Sequence, residues 1–285
     1  VIKCNNIETD VFYLRKFKHV IFRNVTIQTG KYGLYIRDTL SAQVYNCKFA
    51  QLGSTGSPAI HDFTNTVAEQ AAFWAGSSTS NGGAMRLRQS SRVMVENCYC
   101  FRCLRGIRVQ DIYQVPMWHS LITNNQINET LESAIYCASG NYAFNDNSLY
   151  GCRHILITGN RIRKPYNNGI LVIGSKFIEV TNNIIIESAN AGIQQWSSVD
   201  CLYKNNYLYN CNEILHNGIG NLGDAFGNIV LDGSAGITAS SGEKIATVIG
   251  NTTVKANQGR AASVINIRLA TNYPGVYEFN MDLNT

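Results

Sequence analysis

The chain has 285 residues, of which 45% are hydrophobic and 15% charged, with a formal net charge of +5. That balance excludes an intrinsically disordered chain. With no run of five or more Lys and Arg, it also excludes a nucleic-acid surface built on a basic tract. No apolar stretch approaches the ~18 residues that cross a bilayer, so no membrane insertion is expected.

The chain starts at Val1 without a basic-then-apolar leader, and its first residues already read as the middle of a repeat. A piece of a longer protein is therefore expected. Nine cysteines are an odd number, and several sit within strand-like runs. Buried free thiols rather than disulfides are expected, which fits folding in a reducing compartment.

A two-residue step recurs along the chain. It reads Asn24-Val25, Asn46-Cys47, Asn97-Cys98, Asn124-Asn125, Gly159-Asn160, Asn182-Asn183, Asn205-Asn206, Gly227-Asn228 and Gly250-Asn251. The successive intervals are 22, 51, 27, 35, 23, 23, 22 and 23, which is one unit of 22 or 23 residues with insertions. Its first member is always Asn or Gly, the residues that enter left-handed backbone most cheaply. Runs on either side alternate with period two, as in Val20/Phe22 and Val25/Ile27, so they predict strands. A third run follows and often opens on glycine: 33–38 GLYIRD, 106–111 GIRVQD, 169–174 GILVIG and 192–197 GIQQWS.

Three short strands per unit predict one coil of a right-handed parallel β-helix, about nine to ten coils in all, with equivalent positions stacked ~4.8 Å apart. A β-sandwich also has many short strands but requires no single turn residue at a fixed interval. The second column of the step (Asn125, Asn160, Asn183, Asn206, Asn228 and Asn251) is expected to face inward and bond rung to rung, with Val25, Cys47 and Cys98 in the earlier slots. Residues 1–263 form the β-helix, interrupted at 51–82. The final 264–285 read as a strand-rich end of the same domain or the start of another.

In chain order, the third runs supply the candidate ligand surface. If Leu34, Ile36, Met85, Leu87, Ile107 and Val109 face inward, two columns face out: Tyr35–Arg86–Arg108–Tyr136 and Arg37–Arg88–Gln110. Four arginines then form one strip, and guanidinium forks suit carboxylate or phosphate. Outward positions are also simply polar positions. Asp38 and Asp111 end strands two coils apart, hence ~9–10 Å at the backbone. A pair ~6.5–9.5 Å apart suits inverting glycoside hydrolysis, although Asp at a strand end is also a turn former. Glu129, Glu132 and Asp62 lie near the same face.

The insertion at 51–81 holds one amphipathic helical pattern, 66–76, with His61, Phe63, Phe73 and Trp74. It reads either as a lid or as the wall of a groove that includes His61 and Trp74. The insertion at 140–152, with Tyr142, has the aromatic and amide mix that suits sugar rings and is also ordinary loop composition. Gln194 and Trp196 point outward. CYCFRC (98–103) lacks a second ligand pair for zinc, and His19, His119 and His154 converge on nothing visible in the sequence. Neither a metal nor a cofactor is called for.

The coil repeat resembles the pectate-lyase-like superfamily of right-handed β-helices, including bacteriophage tailspikes, over roughly residues 4–268. RIRK (161–164) is similar to an element of polygalacturonases, but their Asn-Thr-Asp, Gly-Asp-Asp and Gly-His-Gly elements are missing, as is the aspartate cluster that holds calcium in pectate lyases. The tailspike resemblance implies a homotrimer on a virion tail, folded in the host cytoplasm, that binds and cleaves a bacterial capsule or O-antigen polysaccharide. On that view Asp38 and Asp111 are catalytic, and Tyr35, Arg37, His61, Trp74, Arg86, Arg88, Arg108, Tyr136, Tyr142 and Trp196 bind substrate. Two rivals stand beside it: a secreted bacterial polysaccharide lyase or epimerase, with Arg or Lys taking the proton, and a non-catalytic adhesive or structural solenoid.

Overall fold

A computed structural model describes residues 1–6, 8–53, 82–110, 118–138, 152–188, 191–196, 198, 200–211, 227–233, 246–254 and 263–269. Its described strands form three parallel sheets of nine, nine and eight strands, each sheet taking every third strand in chain order. This is a parallel β-helix. Each coil contributes one strand to each sheet, as with Lys48–Ala50, Gly83–Arg88 and Val93–Glu96.

The turn after the third sheet follows the expectation from sequence. Its first residue has φ from 51 to 65° at Asn24, Asn46, Asn97, Asn124, Gly159, Asn182, Asn205 and Gly250. The next residue turns inward and builds a ladder. Asn125 Nδ2 donates to Asn160 Oδ1 at 2.9 Å, Asn160 to Asn183 at 2.9 Å, and Asn183 to Asn206 at 3.0 Å. Each Oδ1 also accepts the backbone N–H of the previous rung, as Asn160 N–H to Asn183 Oδ1 at 3.0 Å. The buried amides thus satisfy one another and the turn backbone.

One step was misread. Asn206 donates from N–H and Nδ2 directly to Asn251 Oδ1, at 2.9 and 2.8 Å. Gly227 and Asn228 instead open strand Gly227–Gly233 of the second sheet, where Ile229 pairs with Ile193. The 45 residues from Asn205 to Gly250 are therefore one coil with an insertion, not two coils. A Gly-Asn pair suits a turn and can equally precede a strand, and its spacing matched the unit by coincidence.

Inward side chains fill a single core, including Ile27, Leu34, Val44, Phe49, Leu87, Ile122, Ile157, Val180 and Tyr203. All nine cysteines are free and eight are buried. The first and third sheets alternate between buried and open, as in Lys176–Thr181 and Lys48–Ala50. In the second sheet, strands Ile107–Gln110, Ile135–Ala138 and Ile170–Ile173 are buried on both faces. Strand Ser263–Leu269 pairs with Gly227–Gly233, so this part of the C-terminal segment continues the second sheet. No described helix is long and apolar enough to cross a membrane.

Candidate functional site

The outward columns of the second sheet form by register. Tyr13, Tyr35, Arg86, Arg108 and Tyr136 lie side by side on successive strands. Arg15, Arg37, Arg88 and Gln110 form the parallel row two residues on. Alternation in each strand sends these side chains away from the core that Leu34, Met85, Ile107 and Ile135 occupy.

The arginines are held by aromatic rings and amides. The Arg86 guanidinium lies 5.0 Å from the Tyr35 ring centroid and 5.6 Å from that of Tyr32, and Arg108 lies 5.0 Å from Tyr136. Arg86 Nη2 donates to Gln110 Oε1 at 3.1 Å, and Arg88 Nη1 donates to the Tyr35 hydroxyl at 3.2 Å. The Nε atoms of Arg86, Arg88 and Arg108 are buried and have no hydrogen-bond partner among the described residues. Burial, followed by the neighbouring Arg108 and Arg88 charges, pulls Arg86 below the usual guanidinium range, while Tyr32 and Tyr35 oppose the shift.

Asp38 sits at a left-handed turn, φ 54°, after strand Tyr32–Arg37. Its Oδ2 accepts from Arg15 Nε at 2.9 Å and its Oδ1 from Arg37 Nε at 3.4 Å. The same bond to Asp38 raises Arg15 above its ordinary value. A second ion pair lies at the other edge of the sheet. There Arg105 Nη2 donates to Glu132 Oε1 at 2.6 Å, with only 12% and 13% of the two side chains exposed. Burial raises Glu132, against Arg105 and Arg108, which pull it down. Asp10 is half-buried, near Lys31 and Arg86; burial raises it, and its Oδ1 has no partner among the described residues.

The sequence-predicted residues Tyr35, Arg37, Arg86, Arg88, Arg108 and Tyr136 share this face, and Asp38 borders it. Asp111, His61, Trp74 and Tyr142 lie outside the described residues, as does the helix expected at 66–76. Trp196 belongs to strand Ile193–Trp196, beside Ile173, and its side chain is also outside the description. Sequence reading missed Tyr13 and Arg15. The signal was present, because Tyr-Leu-Arg at 13–15 recurs as Tyr-Ile-Arg at 35–37, one coil later. The histidines were also underread: His119 and His154 stack at 5.1 Å and 11°, and His154 stacks on Phe177 at 4.9 Å. Among the described residues, no group of three or more His, Cys, Asp or Glu could hold a metal ion.

A stack of three-stranded coils in three parallel sheets defines the class as a parallel β-helix. The family described as "right handed beta helix region" matches residues 3–154, more than half of the chain, and the chain belongs to that family. No curated protein matches significantly. Among solved structures, the chain is similar to the mannuronan C-5 epimerase A-module of Azotobacter vinelandii (14% identity, 92% of this chain and 60% of that one, TM-score 0.42). It is also similar to the DFA-IIIase of Arthrobacter chlorophenolicus A6 (12% identity, 90% and 58%, TM-score 0.47). A third is the tailspike receptor-binding domain of siphovirus 9NA (8% identity, 96% and 73%, TM-score 0.35). The chain thus spans about three fifths of the length of the first two.

Proposed function

We propose that this chain binds an acidic bacterial surface polysaccharide on the outward face of its second sheet and cleaves it by glycoside hydrolysis. The observation that carries this reading is the register of Arg37, Arg86, Arg88 and Arg108 beside Tyr35 and Tyr136 on consecutive strands. Guanidinium forks bind carboxylates bidentately, and the tyrosines supply apolar faces with a polar tip. His61, Trp74, Tyr142 and Trp196 are proposed as further contacts from their residue types. In cleavage, Asp38 would be the base that activates water, with Arg15 and Arg37 holding its position. Asp111 would then be the acid that protonates the leaving oxygen. The same reading assigns the chain to a homotrimeric spike on a virion tail, folded in the host cytoplasm, where eight buried free thiols are at home.

A second reading, a lyase or epimerase of uronate polymers, draws on Arg86. Arg86 and Arg108 lie side by side, so that one could neutralise a uronate carboxylate while an Arg or Lys of the strip takes the proton. Incubation with capsular and O-antigen polysaccharides tests both readings. New reducing ends support hydrolysis, ultraviolet absorbance from an unsaturated sugar supports elimination, and binding without change of chain length supports an adhesin. An Arg86→Ala, Arg108→Ala double variant that bound polysaccharide as wild type does would remove those two arginines from all three and leave Arg37 and Arg88. Sedimentation of the intact protein checks the trimer; a monomer at micromolar concentration would argue for a free enzyme.

A further inference from the structure

Exposure differs from strand to strand along the outward face of the second sheet. Tyr13 is 48% exposed, and the side chains of Arg15 and Arg37 are 44% and 26% exposed. Arg108, three coils beyond Tyr13, is 9% exposed, and Tyr136, four coils beyond it, 8%. Arg15, Arg37 and Arg88 occupy one column on three successive strands. Like charges on adjacent strands, ~4.8 Å apart, repel one another. Asp38 is the carboxylate that answers them, and it engages Arg15 and Arg37 through Nε only. The terminal nitrogens of Arg37 make no hydrogen bond among the described residues. Among the described residues three guanidinium charges therefore meet one carboxylate, which fixes the Nε of two forks, with Tyr13 a further side-chain partner of Arg15. Beside them, the Tyr13 and Tyr35 rings pack at 4.9 Å and 59°.

We propose that Arg15 and Arg37, held by Asp38 and flanked by Tyr13 and Tyr35, form an oxyanion subsite that takes the carboxylate of an acidic sugar unit. This rests on the polysaccharide reading and narrows it. It names the charged group that is recognised, centres recognition on Arg15 and Arg37 rather than on Arg108, and adds Arg15 and Tyr13 to the binding residues. A planar carboxylate matches the fork of a guanidinium whose Nε is already pinned, because little side-chain freedom remains to be lost on binding.

The test is titration of the 285-residue chain, followed by NMR, with sodium glucuronate, galacturonate and N-acetylneuraminate, and with glucose and galactose as neutral counterparts. Inorganic sulfate and phosphate form a separate arm. At least one acidic sugar is expected to bind tenfold or more tightly than the neutral sugars and the inorganic anions. Arg37→Ala should lower that affinity at least tenfold, and Arg37→Lys should restore only part of it, since charge without the fork is insufficient. Arg15→Ala, at a more exposed position, provides the same readout should Arg37→Ala fail to fold. Equal binding of acidic and neutral sugars, binding of inorganic anions alone, or no binding at all would overturn the subsite. Polysaccharide binding that depends on Arg86 and Arg108 but not on Arg37 or Arg15 would remove the subsite and leave the broader reading standing. No polysaccharide binding by the wild-type chain would remove both.

Discussion

The inward residue of the turn shows how one side chain can serve several backbones. Asn183 Nδ2 donates to the Ile157 carbonyl at 2.9 Å and the Thr181 carbonyl at 3.0 Å, while its Oδ1 takes two hydrogen bonds from Asn160. Asn183→Ala would strand the Asn160 N–H and the Ile157 carbonyl in the core. At ~1–3 kcal/mol for each buried group left unmade, a loss of about 3 kcal/mol is expected from urea denaturation. Cys98 occupies the same slot, and its thiol donates to the equivalent carbonyls, Val44 at 3.7 Å and Glu96 at 3.4 Å. Its own N–H already donates to Asn125 Oδ1 at 2.9 Å. The asparagines were legible in the sequence because a repeated polar residue at one interval needs a stacking partner. The cysteines looked like ordinary core residues, since their weak hydrogen bonds leave no mark in the residue pattern. Other turns were illegible for a different reason: Arg102, Glu129, Lys164 and Glu187 take φ of 50 to 58° although none is a left-handed residue by preference.

Glycines that open several strands of the second sheet have a steric cause at the level of the sheet. A Cβ on Gly169 would lie 2.5 Å from the Gly192 carbonyl oxygen of the next coil and 2.6 Å from Ile185 Cγ2. The column is filled by small residues: Gly33, Ala84, Gly106, Ala134, Gly169 and Gly192. Gly169→Val should therefore cost about 3 kcal/mol or more, at the upper end of overpacking effects, seen as a lower denaturation midpoint. The stacked rings at the head of the third sheet carry a pH consequence. Burial first, then His119 and Arg153, lower His154. The folded state thus binds this proton more weakly than the unfolded chain does. The associated stability is complete above the ordinary histidine range and is lost as pH falls from that range through the lowered value. His154→Phe, which continues the stack onto Phe177, should flatten the dependence of melting temperature on pH across that window; an unchanged slope would assign it to other groups. The arginine strip could be read from alternation within each strand. The partnership of Asp38 with Arg15 could not, because it joins a turn in one coil to a strand end in the coil before.

At the scale of the whole molecule, the insertions and the solenoid are separable in register. Gly53 N–H donates to the Gly30 carbonyl at 2.9 Å, and Gly83 N–H to the Lys31 carbonyl at 2.8 Å. The residues bordering the 54–81 segment therefore sit directly above two consecutive residues of the previous coil. Removing those 28 residues and joining Gly53 to Gly82 would reduce the interval from Asn46 to Asn97 from 51 to 23, the length of an uninterrupted unit. The strands on either side, Lys48–Ala50 and Gly83–Arg88, already pair with both neighbouring coils without reference to the segment. The shortened chain should keep its β-sheet circular dichroism and a cooperative unfolding transition. Loop-closure entropy alone would favour it by only about 1 kcal/mol, since that term grows with the logarithm of loop length. Polysaccharide affinity is the informative comparison. A folded deletion variant that binds at least tenfold more weakly would support His61 and Trp74 as part of the groove wall, whereas undiminished binding would confine recognition to the sheet itself. A deletion variant that did not fold would show that the chain needs the segment to fold, and the wall would then be tested by His61→Ala and Trp74→Ala in the intact chain.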